Sequence, residues 1–181
     1  MYLINAILGL VLVIAGLLIS LMLMDEPAFS TGLAHELYTG MNAGGDGLAR
    51  LGAAAGRVGW LGAAIMLLMA LMPALGVRVE RRSALFWVLM AVVMAAGQWV
   101  WWSMYLGYLD FLRSGEPNYV LSFPAATSWM LYGVWLAGSL LSLIYIFGFR
   151  RFILSHEDEA EYEVLRAEAE IPRVMPGSDP S

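Results

Sequence analysis

Four long apolar runs constrain the fold of this chain more than any other feature of its sequence. They cover residues 3–24, 58–76, 84–108 and 125–149, and none of them contains Asp, Glu, Lys, Arg or His. A helix of about 20 residues, rising about 1.5 Å per residue, spans a hydrocarbon core of roughly 30 Å. The sequence therefore predicts an all-α, polytopic membrane protein with a four-helix transmembrane domain in residues 1–154.

The composition argues against several other classes of protein. Of the 181 residues, 60% are hydrophobic and only 14% are charged, which is unlike a soluble domain. Most of the acids lie near the C-terminus, so the rest is almost neutral and offers nucleic acid no basic surface. The chain has no cysteine, phosphate loop, nucleophile–base pair or dinucleotide fingerprint. We therefore expect neither enzymatic activity nor a cofactor.

Polar segments connect the predicted spans. In residues 25–45, Ser30 or Thr31 is placed to cap a short helical turn that carries His35 and Glu36. Two such side chains without a third ligand do not predict a metal site. The segment leads into a turn in which Asp46 is placed to cap the second helix.

Three further signals mark helix boundaries. The run Asp25-Glu26-Pro27 predicts the end of the first helix, Asp46 is the expected cap of the second, and Pro73 predicts a kink near its far end. A loop is expected over residues 109–124, after the third span. We expect the fourth span to stop at the paired arginines that follow residue 149.

Residues 155–181 form an acidic tail. Its first residues, Ser155-His156-Glu157-Asp158, match the capping-box pattern S-x-x-[DE], which predicts a short helix over 156–170. From Ile171 onward the tail is rich in proline and polar residues, which predicts disorder.

The arginines predict the orientation of the spans. One group adjoins the helix ends on one side of the predicted bundle: Arg78, Arg81, Arg82, Arg150 and Arg151. Only Arg57 and Arg113 adjoin the ends on the other side. The positive-inside rule then places both termini, the 77–83 loop and the acidic tail in the cytoplasm. The expected location of the protein is a bacterial inner membrane.

Small residues at four-residue spacing predict close contacts between helices. Such pairs are Gly52 and Gly56, Gly59 and Ala63, and Gly133 and Ala137. This spacing is common in membrane helices, so it indicates packing without identifying the packed partner.

Residues 98–135 hold half of the aromatic residues, and we expect them to form an aromatic belt at the membrane boundary, a docking surface for a partner, or both. Tyr and Trp favour membrane boundaries and protein interfaces. The residues expected to contact a partner are Gln98, Trp101, Trp102, Tyr105, Tyr119 and Trp129. Gln98 allows two interpretations, a hydrogen bond between helices or, with Trp102, Tyr105 and Asp110, a ligand site. Asp110 and Arg113 are spaced for an interfacial ion pair.

In helix count, size and charged tail, the chain resembles the small accessory subunits of bacterial secondary transporters, including sodium/solute symporters. The resemblance implies a non-catalytic accessory subunit, with the lipid bilayer and a larger membrane protein as partners. A respiratory assembly is the other complex considered. The alternative is a self-sufficient small transporter or enzyme with a site around Gln98, Trp102, Tyr105 and Asp110.

Overall fold

The computed structural model describes residues 2–26 and 30–170. The helices in these ranges are α1 (Tyr2–Met22), α2 (Gly47–Leu51), α3 (Ala55–Leu71), α4 (Ala84–Ser114), α5 (Ala125–Ser128), α6 (Val134–Phe147) and α7 (His156–Glu170). Two antiparallel hairpins pair β1 (Leu33–Ala34) with β2 (Asn42–Ala43), and β3 (Tyr119–Val120) with β4 (Phe123–Pro124). The first helix ends at Met22, shortly before Asp25-Glu26-Pro27, where the sequence predicted its end. Pro27 itself and the disorder predicted from Ile171 lie outside the described residues.

Four helical segments are long and apolar enough to cross a membrane, as the sequence predicted. They are Tyr2–Met22, Gly47–Gly76, Ala84–Ser114 and Ala125–Phe147. Short 3₁₀ or π turns interrupt some of them, and a 3₁₀ turn at Met72–Gly76 contains Pro73. The irregularity expected from that proline is therefore present, because proline lacks the N–H that a regular helix requires.

The end of α4 differs from the prediction. The helix continues to Ser114 instead of stopping near residue 108, and Gly115 ends it in the left-handed region at φ 72°. The Gly115 N–H bonds to the Phe111 carbonyl at 2.9 Å, as in a glycine C-cap. Asp110 and Arg113 therefore lie on the helix, and the contacts within the described chain include no ion pair between them.

The first connection is a hairpin, so the predicted helical turn around His35 and Glu36 is wrong. Gly32 and Gly40 have φ values of 80° and 89°, which favour glycine and interrupt a helix. A Cβ on Gly32 would also lie 2.7 Å from the carbonyl oxygen of Ala43 on the opposite strand. The predicted cap of the next helix is confirmed, since Asp46 Oδ1 accepts a bond from the Leu48 N–H at 2.9 Å.

The long helices pack mainly against their neighbours in sequence, in the order α1, α3, α4 and α6. Their main buried cluster lies where α3 leads into α4, and it consists of Leu3, Ala74, Val77, Phe86, Met90 and Phe152. In α1 only Leu3 is buried. Most of that helix therefore presents apolar side chains outward, as expected of a helix that contacts lipid.

Candidate interaction surface

Three side chains of α4 donate hydrogen bonds to backbone carbonyls of the helical segment before it. The pairs are Gln98 Nε2 with Ala63 at 2.8 Å, Trp101 Nε1 with Gly59 at 2.8 Å, and the Tyr105 hydroxyl with Ala55. The donors are three and four residues apart and the acceptors four apart, so both sets lie on facing stripes of antiparallel helices. We call these three bonds the α3–α4 ladder.

Glycine on α3 allows the ladder to form. A Cβ on Gly59 would lie 2.8 Å from Tyr105 Cε1, and a Cβ on Gly62 would overlap the indole ring of Trp101. The indole therefore lies directly against bare helix backbone. Gly59 and Ala63 are both buried at this contact. Gly62 is three residues from Gly59, so a search for four-residue spacing does not find it.

The other predicted small-residue pairs have different surroundings. A Cβ on Gly133 would lie 2.8 Å from Val100 Cγ1, so α4 closely approaches the start of α6 there. Ala137 lines a small cavity between α3, α4 and α6. Among the described residues, nothing lies within 4 Å of a Cβ added to Gly52 or Gly56.

Four of the six predicted interaction residues pack within the chain. Gln98, Trp101 and Tyr105 form the ladder, and Trp102 packs edge-on against Trp60 with ring centroids 5.2 Å apart. Asp110 is exposed at the end of α4. One N–H of the Gln98 amide and the hydroxyl proton of Tyr105 are thus already used in hydrogen bonds within the chain, which leaves fewer donors for the alternative ligand site.

Tyr119 belongs to the second hairpin, whose turn has an unusual backbone. Leu121 and Ser122 connect the strands with φ values of 50° and 70°. Such turns normally contain Asn and Gly, because other side chains are strained in this conformation. Tyr119 is 66% exposed and Leu121 is 69% exposed. The turn therefore displays large apolar groups.

Two contacts fix this hairpin to the start of α5. The buried Ser128 hydroxyl donates to the carbonyls of Val120 and Phe123, the second at 3.3 Å. The Ala125 N–H donates to the Asn118 carbonyl at 2.6 Å. Trp129, also predicted to contact a partner, follows directly in a π turn at Trp129–Gly133 and is half-buried. The exposed residues are thus presented on a fixed backbone.

The first hairpin lies at the same end of the bundle. A Cβ on Gly47, just after it, would meet the Leu112 side chain near the end of α4. This hairpin also exposes large apolar groups, with Leu37 82% exposed. We define the hairpin surface as the exposed side chains of Leu37, Tyr38, Met41, Tyr119, Leu121 and Phe123, and we call this end of the bundle the hairpin end.

The opposite end carries the predicted arginine group, and we call it the arginine end. There Arg78 and Arg81 pair with Asp158 in the first turn of α7, and Arg150 pairs with Glu159. Arg81 also donates to the Ile153 carbonyl at 2.8 Å. The acidic helix is therefore anchored to the basic loop of its own chain.

The capping box at the start of α7 is confirmed. The Ser155 N–H donates to Asp158 Oδ2 at 2.9 Å, and the Asp158 N–H donates to Ser155 Oγ at 3.3 Å. The Ser155 N–H and then the Arg81 guanidinium lower the pKa of Asp158 to about 2. Arg150 lowers the pKa of Glu159 in the same way.

The described residues contain no group of three or more His, Cys, Asp or Glu side chains able to hold a metal ion. His35 Nδ1 instead accepts bonds from the N–H groups of Leu37 and Tyr38, at 3.1 and 3.3 Å, and so stabilises the first hairpin.

The fold and its polar groups define a class of protein: a small chain with four helices suited to crossing a membrane and with its charged side chains at the helix ends. The chain matches no protein-family model, no curated protein and no solved structure. Its function therefore has to be argued from its own geometry.

Proposed function

We propose that this protein is a non-catalytic accessory subunit of a larger bacterial inner-membrane complex. The complex would be a secondary transporter of the sodium/solute symporter type or a respiratory assembly. The observation that carries the proposal is the hairpin surface, where two short hairpins beyond the long helices expose large apolar side chains.

The hairpin surface has the properties of an interface core. Leaving apolar area in water costs about 25 cal/mol per Å². Aromatic anchors such as Tyr119 and Phe123 are also the residue types that dominate interface energies. Because Ser128 holds the second hairpin in place, a partner would bind it with little ordering cost.

The long helices support a structural role. The four segments that could span a membrane have apolar centres without an ionisable side chain, whereas proton and ion pathways place such groups inside the membrane. The strongest polar groups there, on Gln98, Trp101 and Tyr105, are engaged in the ladder. The alternative site of Gln98, Trp102, Tyr105 and Asp110 has correspondingly less support.

The arginine end would face the cytoplasm with both termini, by the positive-inside rule. The hairpin end would then face the opposite side of the membrane. Cysteines introduced singly test this orientation, because the chain has none of its own. Positions 44 and 116 should react with an impermeant reagent added to intact cells, and position 80 should not; the reverse pattern would refute the orientation.

Leu121→Gly is the sharpest test of docking. The change removes an exposed apolar side chain and also relieves its strained φ, so folding should be maintained or improved. Ser122→Gly relieves the same strain but removes only a hydroxymethyl group, and it serves as the matched control. Trp135→Ala removes an aromatic side chain of α6 that is 74% exposed and belongs to neither hairpin.

The measurement is co-purification from native membranes in mild detergent, with membrane abundance monitored in parallel. We expect Leu121→Gly and Tyr119→Ala to reduce partner recovery at unchanged abundance. A hot-spot side chain contributes about 2 kcal/mol or more, which is roughly a thirtyfold loss of affinity. Ser122→Gly and Trp135→Ala should retain the partner. Recovery of the same partners with all four variants, or of none with the native chain, would refute the proposal.

A further inference from the structure

An apolar groove opens at the arginine end, between the first turns of α4 and the last turns of α6. Its volume is about 310 Å³, and its lining includes Leu85, Leu89, Leu143, Ile144, Phe147 and Arg151. All of these side chains except Arg151 are hydrocarbon. The groove thus combines an apolar surface on the helical bundle with one positively charged side chain at the arginine end.

Of the arginines at this end, Arg82 and Arg151 have no acidic partner among the described residues, and the Arg82 side chain instead donates to the Val77 carbonyl at 3.0 Å. Arg81 and Arg150 form ion pairs with the first turn of α7. Within residues 2–26 and 30–170, the Arg151 guanidinium has neither an ion pair nor a side-chain hydrogen bond. Its Cζ lies 6.0 Å from the centroid of the Phe152 ring, and the side chain is exposed.

The start of α4 adds to the positive potential at this groove. Leu85 belongs to the first turn of this helix of 31 residues. The free N–H groups of a helix N-terminus carry partial positive charge and favour anions. A ligand that fills the groove would therefore meet hydrocarbon along its length and positive charge at one end.

We propose that this groove binds one anionic phospholipid, with an acyl chain along the groove and the phosphate at Arg151. A lipid fits because the groove lies where a long apolar helix ends beside a positively charged side chain. A phospholipid likewise has apolar acyl chains that end at a charged headgroup. A net negative headgroup is favoured over a zwitterionic one, since a choline group would be repelled by Arg151.

Lipid titration of the purified full-length protein in uncharged detergent tests the proposal. The probes are phosphatidylglycerol, phosphatidylcholine of the same chain length and inorganic phosphate, with binding counted by native mass spectrometry. We expect phosphatidylglycerol to bind at a single saturable site with higher affinity than phosphatidylcholine, and inorganic phosphate not to displace it.

Two variants separate the contributions of headgroup and chain. Arg151→Gln should weaken phosphatidylglycerol binding about fivefold, since one arginine contributes about that factor at an anionic surface. Leu143→Trp fills the groove from a position that is 45% exposed, so it should abolish binding while the protein stays folded. Arg113→Gln, an exposed arginine at the hairpin end, is the matched control and should leave binding unchanged.

Equal affinity for the two lipids would refute recognition of a negative headgroup. Competition by inorganic phosphate would show a simple anion site, and unchanged binding in Leu143→Trp would show that the groove is not occupied; either result overturns the proposal. These outcomes do not depend on whether a protein partner docks at the hairpin end.

Discussion

The contact between Trp101 and α3 predicts that replacing Gly by Ala has opposite effects on stability at two positions of α3, Gly56 and Gly62. In an open helical position, replacing Gly by Ala stabilises by up to about 1 kcal/mol. Gly56 is such a position, since an added Cβ would meet no described atom within 4 Å beyond its chain neighbours and the backbone of its own helix. At Gly62 the same Cβ would overlap three atoms of the Trp101 indole ring. The ring would have to leave its position against the helix.

The cost at Gly62 follows from that displacement. Moving the indole breaks its bond to the Gly59 carbonyl, worth about 1 kcal/mol net, and overpacking adds about 1–3 kcal/mol. The backbone gain of about 1 kcal/mol offsets part of this, so Gly62→Ala should lose about 1–3 kcal/mol. Thermal unfolding in mild detergent, followed by circular dichroism, should place its midpoint clearly below those of the native chain and Gly56→Ala.

A double mutant tests whether Trp101 is the cause. In a Trp101→Leu background the ring is absent, so Gly62→Ala should no longer destabilise, and the coupling should be at least about 1 kcal/mol. Equal midpoints for Gly56→Ala and Gly62→Ala, or additive effects in the double mutant, would refute the contact.

Four further predictions follow from two buried hydroxyls, a helix cap and the tail. Tyr105→Phe should destabilise by about 0.5–1.5 kcal/mol because it loses its ladder bond. Tyr145→Phe should be neutral or stabilising, since no described residue bonds to the buried Tyr145 hydroxyl; a loss like that of Tyr105→Phe would contradict this. Gly115→Ala should destabilise by about 1 kcal/mol in the same unfolding assay, because φ there is 72°. The pKa of Asp158 is lowered from 3.8, its ordinary value, to about 2 in the folded protein, so its ionised carboxylate stabilises the docking of α7. This stabilisation is fully present above the unfolded pKa and is lost as the pH falls through the folded pKa. A spin label at Val164 should therefore report constant mobility from about pH 8 to pH 5, and Asp158→Asn should increase that mobility.

Apolar length was sufficient to predict the four long helices, because spanning a bilayer imposes a minimum number of apolar residues. The same criterion misplaced the end of α4. Residues 109–114 are more polar than the span, but nothing in them stops a helix, and the stop comes at Gly115. Likewise, Ser30 and Thr31 resemble helix caps, whereas Gly32 and Gly40 determine the hairpin.

The ladder was only partly predictable. A hydrogen bond from Gln98 to another helix was one of the two interpretations, since a buried amide needs a partner. The roles of Trp101 and Tyr105 depend on the register between α3 and α4, which no local pattern specifies. The second hairpin had a signal, because aromatic and β-branched residues lie between Pro117 and Pro124.

The strain at Leu121 links the fold to the proposed function. A leucine in the left-handed region costs roughly 1 kcal/mol or more of stability. Because the side chain is exposed, the fold also lacks part of the roughly 1.5–3 kcal/mol of stabilisation that its burial would give. Bonds from Ser128 hold this arrangement, and Leu121 remains 69% exposed. At the arginine end, by contrast, the acids that begin α7 are paired with arginines of the same chain. If the protein docks as proposed, a pocket on the partner that receives Leu121 would offset both costs.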